Sequence, residues 1–327
     1  MGPTSHRVGA LFALTTSASI CAAPVAIAQT YPSANVRMLV PFAPGGTMDI
    51  VARIVAERLA ERLGGVFIVD NRPGAGGTLA TDLLAKSAPT GHTLMAFHSG
   101  LAYNAALYPA LPFDTLKDIA PVSQVGTTPS VLVVGPSFKA QTTKEAIAAA
   151  RAAPGTINYS SAGSGSTTHL AIELFASLTG TKLQHVPYKG GAPAMLAVVS
   201  GEAQLMIATL PGALPHLKSG RLRALGVTSL KRSPLLLDVP TLAESGVPGY
   251  EYETWYGVFA PAGTPRDIVG ALNKAINQSL SAPEMQALMG KQGIDPVGGS
   301  AEHFSALVRR EIVKWTKLIK DAGIRIE

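Results

Sequence analysis

The sequence predicts an α/β protein made of two successive lobes, each a mainly parallel sheet flanked by helices. Three observations carry this. Short apolar runs alternate with segments of helical period, the pattern of right-handed βαβ units. The alternation restarts near Ser130, and two Gly-rich loops follow strands at similar points of the two halves. The 327 residues leave room for two lobes of roughly 150 residues each. An apolar fraction of 47% with 15% charged residues excludes intrinsic disorder. The net charge of +6 is spread along the chain, and no Lys/Arg run marks a nucleic-acid surface.

Each element has its own justification. Residues 36–42 form an apolar strand that stops at Ala43-Pro44-Gly45-Gly46. Residues 48–63 read as an amphipathic helix, with Ile50, Val51, Ile54, Val55, Leu59 and Leu63 at three- and four-residue steps. A strand at 66–69, a helix at 78–87 and a strand at 93–97 complete the first set. The second set begins with strands 130–134 and 157–160 and helices 143–153 and 169–178; Thr142 or Thr143 caps the first of these helices. Strands 183–186, 205–208 and 224–227 and helix 193–200 follow. Strand 254–260, helix 265–281 and a helix over 301–321 end the chain, the last with Phe304, Val308, Ile312, Trp315 and Ile319 on one stripe. The division expected is 1–29 as an export leader, 30–126 plus 251–327 as lobe one and 127–250 as lobe two.

The leader is predicted from Arg7, the only firmly charged residue before Arg37, an apolar stretch over 8–27, and Ala26-Ile27-Ala28, a small-x-small cleavage site. The mature chain then starts near Gln29. The single cysteine, Cys21, falls inside the leader, so no disulfide and no cysteine metal ligand are expected. No later segment approaches 18 uninterrupted apolar residues. The mature protein is expected to be soluble, monomeric and outside the cytoplasm.

The loops carry the chemistry. Pro44-Gly45-Gly46-Thr47-Met48-Asp49 joins a strand to a helix. Its small residues let backbone amides face a ligand at a helix N-terminus, which suits a carboxylate; a tight turn with nothing bound reads equally well. Gly163-Ser164-Gly165-Ser166-Thr167-Thr168 adds four hydroxyls at a second helix start, more than one cap needs. Asn71 to Gly77 reads better as a bend. A phosphate-binding G-x-x-x-x-G-K-[ST] motif and a dinucleotide fingerprint are both missing. Ser164 and Ser166 near His169 lack a nucleophile elbow, and no histidine pair has zinc spacing, so neither catalysis nor a metal or cofactor is expected.

Val40-Pro41-Phe42-Ala43-Pro44-Gly45-Gly46-Thr47-Met48-Asp49-Ile50-Val51-Ala52-Arg53 resembles the first signature of the Bug-type substrate-binding proteins, the tripartite tricarboxylate transporter receptor family. Val69-Asp70-Asn71-Arg72-Pro73-Gly74-Ala75-Gly76-Gly77 resembles the second. Gly163-Ser164-Gly165-Ser166-Thr167-Thr168-His169-Leu170, Val186-Pro187-Tyr188-Lys189-Gly190 and Phe259-Ala260-Pro261-Ala262-Gly263-Thr264-Pro265 follow in the family's order. The resemblance covers essentially the whole mature chain. It implies a type II-like periplasmic binding fold with a cleft between lobes joined by two crossing strands. It also implies a periplasmic solute-binding protein, not an enzyme, that captures a small carboxylate for the membrane subunits of a tripartite transporter; an exported receptor reporting to a membrane sensor is the alternative, and a hydrolase a more remote one.

Carried over by position, Gly45, Gly46 and Thr47 of one lobe and Ser164, Ser166, Thr167 and Thr168 of the other would hold the carboxylate. Asp49, Ser99, Tyr188 and Thr209 complete the candidate set. Gly46 is expected to need glycine both for space and for the dihedrals of its loop. Met48, Phe97 and His98 depart from the family's pattern and are expected to reshape the variable part of the pocket.

Overall fold

The computed structural model describes residues 1, 2, 4, 31–108 and 110–321, and the leader with its cleavage site and Cys21 lies outside the described residues. β1 (Val36–Val40) buries Val36, Met38, Leu39 and Val40 on its two faces, while Arg37 is partly exposed and pairs with Asp70. It pairs in parallel with β2 (Phe67–Asn71) on one side and β3 (Thr93–His98) on the other. α1 (Thr47–Leu63) and α2 (Thr78–Ala85) make the two crossovers. α3 (Gly100–Leu107) leaves β3 after a single residue, Ser99.

β4 (Ile119–Val134) is the longest strand, at 16 residues. After it come α4 (Thr143–Ala152), β5 (Asn158–Ser161), α5 (Thr167–Thr179), β6 (Gln184–Pro187), α6 (Gly191–Ser200), β7 (Leu205–Thr209), α7 (Leu210–Lys218) and β8 (Arg223–Val227). β9 (Glu253–Pro261), α8 (Arg266–Leu280), α9 (Pro283–Lys291), the short β10 (Asp295–Pro296) and α10 (Ala301–Asp321) complete the order.

The fold is a two-lobed α/β architecture in which β4 serves both lobes. Up to Pro129 it runs antiparallel to β9, and from Ser130 onward it runs antiparallel to β7 and β8. The hydrogen-bonded order β2-β1-β3-β9-β4-β7-β5-β6 is therefore unbroken, with β4 as one of the strands that cross between the lobes. Thr228 fastens the joint. Its Oγ1 accepts from Ser130 N at 2.7 Å and lies 2.6 Å from the carbonyl oxygen of Tyr252, where the chain returns.

Alternation along β4 divides the core. Leu132 and Val134 join a large cluster that includes Val40, Phe97, Tyr159 and Phe259. Val131 and Val133 point the other way, into a smaller cluster with Met195, Val198, Met206 and Leu214. On α10, Phe304, Val308, Trp315 and Ile319 are buried and Ile312 is half-buried, as its stripe predicts. α3, α7, α9 and the first two-thirds of β4 were not read from the sequence. Among the described residues no helix is long and apolar enough to cross a membrane.

Candidate functional site

A cavity of about 200 Å³ lies between the β1–α1 loop and the starts of three further helices. Gly46, Thr47 and Met48 bring the start of α1 to its wall, and Thr167 and Thr168 bring that of α5. Gly191 and Ala192 bring the start of α6; Thr209, the residue before α7, brings the fourth. First-turn amides have no intrahelical acceptor. α1, α6 and α7 have no side-chain cap, so those amides are left to a ligand or to water. Each helix start also carries partial positive charge. Among the described residues no Lys or Arg stands in the cavity wall; Phe42, Met48, Met195, Leu196, Met206 and Tyr256 make most of it apolar.

Local sequence explains the arrangement. Gly45 has φ +83, a conformation that favours glycine, and its N–H donates to Asp49 Oδ2 at 3.0 Å. Asp49 also accepts from Arg53 Nε at 2.9 Å and Asn71 Nδ2 at 3.0 Å. Burial pushes its carboxyl up, but the hydrogen bonds from Arg53, Gly45 and Asn71 outweigh that and hold it below the usual range. Gly46 is extended, at φ −82 and ψ 168. This corrects the expectation about its dihedrals, since any residue adopts them; its β-carbon would sit 3.7 Å from the amide nitrogens of Gly191 and Ala192. Thr47 Oγ1 and Thr209 Oγ1 are 2.8 Å apart, and Ala43 N donates to the Lys189 carbonyl at 3.0 Å. The first of these contacts joins two residues of the cavity wall.

Of the eleven residues proposed from the sequence, Gly45, Gly46, Thr47, Thr167, Thr168 and Thr209 stand together in the cavity wall. The other five lie outside it. Asp49 braces the β1–α1 loop. Ser99 is buried and accepts from the Tyr103 hydroxyl at 2.8 Å. The Ser164 carbonyl accepts from the Tyr108 hydroxyl at 3.2 Å, and Ser166 caps α5 by accepting from His169 N. Tyr188 is half-buried and donates its amide to Ser161. The Thr168 hydroxyl is partly committed too, accepting from Ala162 N at 2.8 Å. Met48 and His98 do reach the cavity, while Phe97 is spent on packing against Phe42 and Gly77.

Gly191 and Ala192 at the start of α6 were absent from the candidate set, and α7 was represented there only by Thr209. Gly190-Gly191 before an apolar helix, and Pro211 in the first turn after Thr209, were the available signals. Sequence reasoning missed a stack of rings beneath the β5–α5 loop. His169 lies 4.2 Å from His185, and His185 lies 4.8 Å from Tyr159, all nearly parallel. Gly165 N donates to His169 Nδ1, and Ser161 Oγ is 2.6 Å from His185 Nε2, so the stack fixes the loop from below. Among the described residues no cluster of His, Cys, Asp and Glu could hold a metal.

The fold is that of a two-lobed solute receptor. The chain belongs to the tripartite tricarboxylate transporter family of receptors, whose family model matches residues 51–324. It is 41% identical to a UPF0065 protein from the tcbD-tcbE intergenic region of Pseudomonas sp. (strain P51), over 89% of this chain and 87% of that one. It is 38% identical to Protein BugT of Bordetella pertussis, over 94% of each chain. Among solved structures, R. palustris Rpa4515 with adipate superposes with a TM-score of 0.88 at 38% identity, covering 90% of this chain and 99% of that one.

Proposed function

We propose that this chain is a periplasmic receptor that captures a small carboxylate in the cavity and hands it to the membrane subunits of a tripartite tricarboxylate-type importer, with no chemistry of its own. One observation carries the reading: four helix starts converge on one cavity in whose wall no Lys or Arg stands among the described residues. A carboxylate bound there accepts from neutral amides, and the partial charges of the helices replace a buried Arg or Lys. The adipate held by the R. palustris relative supports the ligand class. Gly45, Gly46, Thr47, Thr167, Thr168 and Thr209 form the proposed contact set, with Ser166 and Asp49 holding the loops behind it.

The proposed export route ends with cleavage after Ala28. The proposed lobes are 30–126 plus 251–327 and 127–250. The partner change of β4 after Pro129 and the pairing of β9 with β3 support that division. A thermal-shift screen of mono-, di- and tricarboxylates tests the ligand class. A binder present at 100 times its Kd adds about 2.7 kcal/mol of stability, a plainly visible shift. A screen in which amines or sugars stabilise the chain and carboxylates do not would overturn the reading.

A further inference from the structure

His98 stands in the cavity wall with only 5% of its surface exposed. Its ring stacks on Phe42, at 4.8 Å between centroids and 26° between planes. Its Nδ1 accepts from the Gly100 amide, at the first turn of α3, at 3.0 Å. That contact fixes the tautomer. The amide is a donor, so Nδ1 is the bare nitrogen, and the neutral ring carries its hydrogen on Nε2. The fit is close: a β-carbon at Gly100 would lie 2.7 Å from His98 Cε1 and 2.8 Å from Nδ1. Burial holds the imidazole down at about 3, so it stays uncharged at ordinary pH. Among the described residues Nε2 has no hydrogen-bond partner. That leaves one donor of the ring to satisfy, and the cavity is where its acceptor can come from.

We propose that the Nε2–H of His98 is the specificity donor of this cavity, and that the preferred ligand is a monocarboxylate with a second, uncharged acceptor such as an amide or ketone oxygen. The inference rests on the carboxylate reading above and narrows it. The first carboxylate takes the helix amides. A second would have to be buried among mostly apolar side chains, with only neutral donors such as His98 Nε2–H and the Tyr256 hydroxyl and, among the described residues, no Lys or Arg in the wall, at a cost of desolvation that such hydrogen bonds do not offset. A neutral oxygen has far less hydration to lose. The Gly100 amide at the start of α3 cannot serve a second anion, because it is held by His98 itself.

Three probes of one length separate the cases: hexanoate, adipate and adipamate, the monoamide of adipate, titrated calorimetrically into the exported chain. Adipamate is expected to bind about five- to tenfold tighter than hexanoate, and tighter than adipate. His98→Asn keeps an acceptor near the Nδ1 position for Gly100 and removes the distal donor; it should abolish the preference over hexanoate while hexanoate affinity holds. His98→Gln places an amide NH2 near the Nε2 position and should restore part of the preference. Circular dichroism and the melting temperature verify that both variants fold. Equal affinities for adipamate and hexanoate, tighter binding of adipate, or an unchanged preference in a folded His98→Asn overturns this proposal alone. Failure of all three probes to bind overturns the carboxylate reading and this inference with it.

Discussion

Gly45 and Gly46 are neighbours with opposite requirements. Gly45 sits at φ +83, where a side chain is strained, and Gly46 sits in extended backbone with ordinary clearance. Gly45→Ala is therefore expected to lower stability by about 1–2 kcal/mol, measured by urea unfolding. Gly46→Ala should leave stability within about 0.5 kcal/mol of the parent. Its methyl group enters the cavity wall beside the first amides of α6, so calorimetry should record affinity reduced about tenfold or more. Gly46→Ala binding as tightly as the parent would remove this loop from the contact set. A glycine pair after a strand tells the sequence reader that a ligand or a turn needs the space. It does not tell which glycine carries the dihedral and which the clearance, because both look alike until the backbone is traced. Asp49 was legible as part of the motif but not as a brace, since its partners Asn71 and Arg53 come from a different strand and from one turn further along α1.

At the scale of elements, the β5–α5 loop depends on the rings beneath it. Burial lowers His169 to about 3, helped by the nearby His185, and lowers His185 itself to about 4. In the unfolded chain both regain an ordinary value near 6.5. Between about pH 6.5 and 4 the unfolded chain thus binds more protons than the folded one. Stability is complete above that window and falls as the pH drops, by at most about 1.4 kcal/mol per pH unit for each histidine. Glu173, 3.9 Å from His169, offsets part of this. Urea unfolding at pH 7.5 and pH 5 should show the loss, and His185→Gln should flatten the dependence. A pH-independent midpoint across that range would contradict the buried neutral stack.

The strands and helices of the first and second sets were legible because their apolar residues repeat cleanly. What escaped has local causes. α3 is apolar nearly all round and follows β3 after one residue, so it shows neither a polar face nor a loop. α7 contains Pro211 and Pro215, which read as breakers. α9 starts at Pro283, immediately past the end of α8, where a proline signals a stop. The first two-thirds of β4 carries Pro121, Gly126 and Pro129 and buries Ser123, Gln124 and Thr128, so it shows no alternation. Register shifts between Pro121 and Ser123 and between Gln124 and Gly126 accommodate its irregular residues.

For the molecule as a whole, the strand that looked least like a strand is the one that serves both lobes. β4 changes partners after Pro129, and Thr228 ties Ser130 to the returning chain at Tyr252. The ends of the strands and the starts of four helices thereby face one space, and Thr47 and Thr209 meet across it. The sequence displayed two of those helix starts, in its glycine- and hydroxyl-rich loops. Of the other two, Thr209 before α7 was already in the candidate set by resemblance, whereas the start of α6 at Gly191 and Ala192 was not, because it lies far along the chain from the loop it faces. The central claim is that neutral helix amides, not cationic side chains, hold a carboxylate. The most direct measurement is a crystal structure of the chain with whichever carboxylate gives the largest thermal shift. Carboxylate oxygens are expected at about 2.7–3.1 Å from first-turn amides of at least two of α1, α5, α6 and α7. A carboxylate paired instead with a Lys or Arg, or seated away from all four helix starts, would contradict that claim.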